Sequence, residues 1–76
     1  MTTREVLELA EARRLLRSGE ARSIRVAGGL SLSEIARSIG VTPGAVSRWE
    51  TGDRRPVGES ALAYAELLTS LRRVEA

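Results

Sequence analysis

The residues whose side chains are best suited to chemical interactions lie between positions 31 and 56. Their side chains donate hydrogen bonds or carry a positive charge. The set comprises Ser31, Ser33, Thr42, Ser47, Arg48, Arg54 and Arg55. Hydroxyls at helix N-termini and guanidinium groups both bind the oxygens of phosphates and other anions. The segment therefore predicts a surface that binds a polyanion and not one that makes or breaks bonds.

The composition of the chain argues against an enzyme. Its 76 residues include no cysteine and no histidine, and all 12 basic residues are arginine, so lysine is absent as well. A zinc site would need carboxylates alone, and no disulfide can form. Serine or carboxylate chemistry would lack an activating base or nucleophile partner. We therefore expect no catalytic residue, no metal, no cofactor and no small-molecule substrate.

The net charge of +2 is distributed unevenly along the chain. Residues 21–58 hold six arginines against three acidic residues, whereas residues 1–20 hold four of each and residues 59–76 hold two arginines against three glutamates. A polyanion-binding face needs this local excess of positive charge more than a high total.

The sequence predicts no membrane association. No apolar run approaches the roughly 20 residues of a membrane span, and the first six residues lack the apolar core of a signal peptide. We expect a cytoplasmic protein.

Two short helices must position the donor side chains. Ser31 and Glu34 have the spacing of a capping box that begins a helix, and Gly40 supplies the left-handed conformation that ends it. Thr42, followed by a proline, restarts the chain as a second helix. A helix, a turn containing glycine and another helix form the helix-turn-helix motif, here over residues 31–51.

Apolar residues at helical spacing predict the core between these two helices. They are Ile35, Ala36, Ile39, Val41, Val46 and Trp49. Trp49 could in principle stack on a base, but it lies three residues after Val46 on the inward stripe. We therefore assign Trp49 to the core.

Three further helices are predicted, over residues 3–17, 20–27 and 58–73, and no alternating strand pattern occurs. The expected fold is all-α, with five helices in one compact domain that spans residues 1–76. Residues 1–17 form an extra N-terminal helix with an apolar stripe of Val6, Leu9, Ala12 and Leu16. This stripe either packs on the rest of the domain or contributes to a dimer interface.

From about Ile24 to Leu68 the chain resembles the Cro/phage-repressor type of helix-turn-helix domain, the xenobiotic-response-element family of bacterial and phage regulators. The matching pieces are Arg25, LSLSEIA at 30–36, IGVT at 39–42, VSRWE at 46–50, Gly52 and Arg55-Pro56. The spacing Glu-x-Gly-x-x-x-Pro over 50–56 makes the match more specific than the helix-turn-helix pattern alone. The resemblance implies a lambda-repressor-like fold and a transcriptional regulator that binds double-stranded DNA and is associated with the nucleoid when bound.

The resemblance also implies a role for individual residues. In this family the second helix of the motif, here residues 43–51, enters the major groove with its N-terminal residues toward the base edges. The base-reading positions fall on Pro43, Gly44, Ala45 and Arg48, of which only Arg48 can donate hydrogen bonds from its side chain to a base. The implied phosphate-binding residues are Ser31, Ser33, Thr42, Ser47, Arg54, Arg55 and Arg37, with Arg22 as a further candidate.

A structural role is implied for Arg25 and Glu50. The family's residues at these positions form a partly buried ion pair, so Glu50 should hold the fold together and not contact DNA, which it would repel.

Several biological functions fit this resemblance. The favoured one is a Cro-like repressor of phage or prophage type, bound as a homodimer to a pseudo-palindromic operator. Its dimer interface uses the N-terminal helix or the C-terminal helix, or forms only on DNA. An antitoxin of a toxin–antitoxin pair shares the fold and size. A protein-interaction module that docks through the N-terminal helix is a third possibility, but it would leave Arg48, Arg54 and Arg55 without a purpose.

Overall fold

A computed structural model describes residues 1–75, with side chains through residue 74. It contains five helices: α1 (Thr3–Ser18), α2 (Glu20–Ala27), α3 (Leu32–Ile39), α4 (Pro43–Thr51) and α5 (Gly58–Glu75). The expected all-α fold is confirmed, and no strand occurs within the described range. The predicted end of α1 at residue 17 is one residue short, and the predicted end of α5 at residue 73 is two residues short.

Capping interactions explain where α1 and α3 begin. The Glu5 amide donates to Thr2 Oγ1 at 3.1 Å, and the Thr2 amide donates to Glu5 Oε1 at 2.8 Å. Ser31 and Glu34 form the same reciprocal pair at 3.0 and 2.9 Å. Each box satisfies amides that have no partner inside the helix, and the second confirms the sequence prediction for Ser31 and Glu34. Gly40 ends α3 with a φ of 75°, as its position predicts.

The core joins α1 and α5 to the helix-turn-helix pair. The helix α1 packs along α5 and also contacts α2 and α4, while α3 packs against both α4 and α5. Ten buried residues form one continuous cluster: Ala12, Leu15, Ala21, Ile35, Ala36, Val46, Trp49, Tyr64, Ala65 and Leu68. Since the cluster draws on every helix, α4 is held by packing from more than one direction.

The buried stripe of α1 differs from the predicted one. Leu15 is only 1% exposed, whereas Val6 is 49% exposed. At about 100° per residue, Leu9 and Leu15 lie about 60° on either side of Ala12, and Val6 lies about 120° away from it. The inward face of α1 is therefore centred on Ala12, and including Val6 in the stripe was wrong.

The side chain of Trp49 lies in the core, as predicted, and packs against Tyr64. The two ring centroids are 5.0 Å apart, with an angle of 54° between the ring planes. Burial raises the pKa of Tyr64, and its hydroxyl has no hydrogen-bond partner among the described residues. No helix within residues 1–75 is long and apolar enough to cross a membrane.

Candidate nucleic-acid interface

The helix α4 has one buried face and one face open to solvent. Val46 is fully buried and Trp49 is 6% exposed, whereas Pro43, Gly44 and Arg48 are exposed. Ala45 and Ser47 are half-buried and flank the exposed face. The four base-reading candidates named above are thus all at least partly accessible. No hydrogen bond or ion pair within the described chain engages the Arg48 side chain.

A partly buried ion pair joins α4 to α2. Arg25 Nε donates to Glu50 Oε2 at 2.7 Å, and Arg25 Nη2 donates to Glu50 Oε1 at 2.9 Å. The Arg25 and Glu50 side chains are only 12% and 5% exposed, respectively. Arg25 Nη1 also donates to the Leu30 carbonyl at 2.9 Å, and the hydrogen bonds to Glu50 raise the pKa of Arg25. This two-pronged contact fixes the rotation of α4 about its axis.

The N-termini of α3 and α4 differ in their capacity for an anion. At the start of α3 the Glu34 carboxylate already accepts from the Ser31 amide, so a negative charge occupies that end. The first turn of α4 contains no acidic residue, and the Thr42 hydroxyl accepts from the Ala45 amide at 3.2 Å. The positive end of the α4 dipole is therefore uncompensated, which makes it the better of the two positions for a phosphate. Ser31 and Ser33 are nevertheless exposed beside the other N-terminus.

The loop after α4 is fastened to the helix that precedes it. The amides of Asp53 and Arg54 both donate to the Arg48 carbonyl, at 2.9 and 3.1 Å. Pro56 is buried, whereas Arg54 and Arg55 are exposed. Two guanidinium groups are thus presented beside the C-terminal end of α4 from a backbone that is held in place. The other predicted cations, Arg37 on α3 and Arg22 on α2, are also exposed.

The arginines fall into two groups according to their ion pairs. Four of the 12 pair with a carboxylate of the described chain, namely Arg4, Arg14, Arg25 and Arg72. The other eight include every arginine assigned to base reading or phosphate binding. The arginines that could contact a polyanion are therefore not neutralised by partners within residues 1–74.

Arg13 and Arg17 are two cations that the sequence reasoning did not assign to the interface. Together with Arg54 and Arg55 they line a cleft between α1 and the loop after α4. Their spacing of four residues places them on one face of α1. That spacing was the signal in the sequence that the two arginines share a face. The part of the protein that this face meets depends on contacts between α1 and helices distant in the sequence. No group of three or more acidic, histidine or cysteine residues within the described chain could hold a metal ion.

The helix α4 faces solvent on one side, packs against the capped helix α3 on the other and is followed by a basic loop. DNA-binding helix-turn-helix proteins have this arrangement. A family model described as helix-turn-helix matches residues 22–71, about two thirds of the 76 residues. The chain therefore belongs to the helix-turn-helix family of the Cro and xenobiotic-response-element type, which confirms the resemblance, and it is a DNA-binding regulator of that type. Neither the curated proteins nor the solved structures contain a significant match.

Proposed function

We propose that the protein is a sequence-specific, Cro-like repressor of phage or prophage type that inserts α4 into the major groove of its operator. The observation that carries this proposal is the exposed face of α4, where Pro43, Gly44 and Arg48 are accessible while Val46 and Trp49 anchor the opposite side. A rigidly held helix with a free outer face is what insertion into a groove requires.

Base recognition is assigned mainly to Arg48. A guanidinium can donate two hydrogen bonds to the O6 and N7 atoms of guanine, which discriminates against other bases by about 1–3 kcal/mol. Pro43 and Gly44 offer no side-chain donor or acceptor but permit close approach, and Ala45 can contact a thymine methyl group. With a single hydrogen-bonding side chain at the base edges, the repressor must also depend on the shape and deformability of the operator.

Phosphate binding is assigned to residues on both sides of this face. Thr42 is the N-cap of α4, Ser47 is half-buried beside its exposed face, and Arg54 and Arg55 lie on the loop that follows it. Ser31, Ser33 and Arg37 extend the same surface along α3. These contacts would fix the register of the protein on the duplex without reading its sequence.

A homodimer follows from the limited number of base contacts. Two copies on a two-fold operator double the contacts and place the two α4 helices in half-sites about 34 Å apart. We propose that residues 1–76 act as one unit in this dimer, because α1 is part of the same core as α4. Light scattering of a complex with an operator duplex should give a mass corresponding to two chains. A mass of one chain at saturation would contradict the dimer.

The proposed function is tested in two steps. Duplexes that bind the protein are selected from a random pool, and the affinity for the selected sequence is then measured at several salt concentrations. We expect enrichment of a pseudo-palindromic sequence. For that sequence, the logarithm of the binding constant should fall with the logarithm of salt concentration with a slope of about −3 or steeper, since each neutralised phosphate contributes about −0.9. A scrambled duplex serves as the control for non-specific binding. Absence of any enriched sequence, or affinity that does not change with salt, would contradict the proposal.

A further inference from the structure

A cleft of about 340 Å³ separates the C-terminal half of α1 from the loop after α4. Arg13 and Arg17 line it from α1, and Arg54 and Arg55 line it from the loop, with Trp49 in the wall between them. The volume is at the lower end of the range for small-ligand sites, about 300–1,000 Å³. The cleft therefore has room for a small anionic group with its hydration water.

The positive charge of the cleft is not balanced by the protein. Asp53 is the one acidic residue among the lining residues, and it forms no ion pair with the four arginines within the described chain. Arg14 follows Arg13 directly in the sequence but faces elsewhere, where it pairs with Glu11 and Glu20. The same helix thus neutralises an arginine on one face and leaves two without a counter-charge on the other.

The guanidinium of Arg13 also lacks a partner for one of its donors. Its Nε atom is buried and makes no hydrogen bond within the described residues, although the residue as a whole remains partly accessible. Leaving a buried donor unpaired costs about 1–3 kcal/mol, and a water molecule or an anion in the cleft would supply the missing acceptor. An anion bound by the accessible nitrogens of the same guanidinium would offset its desolvation.

We propose that this cleft binds a phosphate group and that α1 thereby adds Arg13 and Arg17 to the phosphate-binding surface of the loop. Guanidinium groups bind phosphate oxygens in a two-pronged geometry. Four guanidinium groups around one cleft are more than a bound carboxylate would require, which favours phosphate. The cleft shares Arg54 and Arg55 with the loop beside α4, which favours a phosphate of the DNA backbone as the source. If the phosphate belongs to DNA, the inference rests on the proposed function. A free phosphate ligand would bind through the same guanidinium groups, and its binding would not depend on that function.

The first arm of the test compares three single substitutions of α1 for the salt dependence of binding to one fixed duplex. Arg17→Gln and Arg13→Gln should each reduce the magnitude of the slope, by at most about 0.9, because both arginines help to neutralise the same phosphate. Arg14→Gln is the matched control, since it makes the same change of charge on the same helix outside the cleft. We expect it to leave the slope unchanged.

The second arm adds inorganic phosphate to the protein without DNA and follows the fluorescence of Trp49, which is the one tryptophan of the chain. A saturable change is expected in the wild type and in Arg14→Gln, and a weaker affinity in Arg17→Gln. Sodium chloride at matched ionic strength controls for general salt effects. Thermal melting checks that each variant is folded. If Arg13→Gln does not fold, Arg17→Gln decides the outcome, because Arg17 is exposed and can be replaced without loss of packing.

The two arms separate the possible results. Reduced slopes in both cleft variants support a DNA phosphate in the cleft. Unchanged slopes with a saturable phosphate response that Arg17→Gln weakens support the cleft but assign its phosphate to a free ligand. Unchanged slopes with no saturable response would overturn the inference. If the wild type did not bind DNA at all, the proposed repressor would be refuted while the phosphate titration would still test the cleft.

Discussion

At the scale of single residues, Arg48 and Arg54 are both exposed arginines close in sequence, but the proposed contacts give them different consequences. Arg48→Ala should remove about 1–3 kcal/mol of preference for the selected operator over a scrambled duplex, since it removes the contact to a base. Arg54→Ala should weaken binding to both duplexes by the same factor, because phosphates carry no sequence information. Binding of both variants to both duplexes at one salt concentration measures this. Equal loss of preference in the two variants would contradict the division of roles.

Gly44 allows stability and DNA binding to be separated at one position. Its φ is not positive, and a Cβ there would meet only Thr42 Oγ1 at 3.9 Å, an ordinary contact. Gly44→Ala should therefore raise the free energy of unfolding by about 0.5–1 kcal/mol through helix propensity. The added methyl group on the groove-facing side should lower affinity for the operator. Thermal melting and a binding titration measure the two effects, and a variant with higher stability but unchanged affinity would place Gly44 away from the DNA.

At the scale of helices, the pair of Arg25 and Glu50 determines how α4 is held against α2. Arg25→Met should lower the free energy of unfolding by about 3–5 kcal/mol, because it leaves the Glu50 carboxylate buried without its partner. The double variant Arg25→Met/Glu50→Leu should lose less than the sum of the two single variants. Urea unfolding of the four proteins measures this coupling. Arg4→Met, which breaks an exposed pair with Glu8, is the control and should have a much smaller effect. Additive losses at positions 25 and 50 would contradict a coupled pair.

The boundaries of the helices could be predicted because the interactions that set them are local. The boxes of Thr2 with Glu5 and of Ser31 with Glu34 each span three residues, so spacing alone identifies them. The inward face of α1 and the partners of Arg13 and Arg17 could not be predicted in the same way. They depend on where α1 lies against α5 and α4, and no short-range pattern encodes the docking of two helices 25 or more residues apart.

The roles of the interface residues had a different origin. The contact between Arg25 and Glu50 spans 25 residues and was expected only through the resemblance to the family. Composition and spacing alone indicate a positive, hydroxyl-bearing surface. They do not indicate which atoms of a duplex each side chain would contact.

At the scale of the whole molecule, the titration of glutamates governs how stability depends on pH. Hydrogen bonds hold the pKa of four glutamates below the ordinary value of about 4.5: Glu5 with the Thr2 amide, Glu34 with the Ser31 amide, Glu11 with Arg14 and Glu20 with Ser18. Since their pKa values are lower in the folded state, the unfolded chain binds more protons in acid. The stabilising contribution is thus present above about pH 4.5 and is lost as the pH falls through the folded-state values.

The melting temperature should therefore be nearly constant between about pH 5 and 8, where the chain has no histidine to titrate, and should fall below about pH 4.5. Scanning calorimetry from pH 8 to 3 at constant ionic strength measures the profile. Double replacement by Glu5→Gln and Glu34→Gln should flatten the acid limb while lowering stability at pH 7. A melting temperature that rose on acidification would contradict the assignment of these carboxylates.

The separation of paired from unpaired arginines also affects how quickly the protein meets its target. Around α4 and the cleft, Arg13, Arg17, Arg48, Arg54 and Arg55 are uncompensated, whereas Arg14 and Arg72 are neutralised by glutamates of α1 and α2. The net charge of only +2 thus understates the positive charge that is concentrated around α4 and the cleft. In the field of a duplex the protein would rotate before touching it, so more of its diffusive encounters would begin with α4 toward the groove.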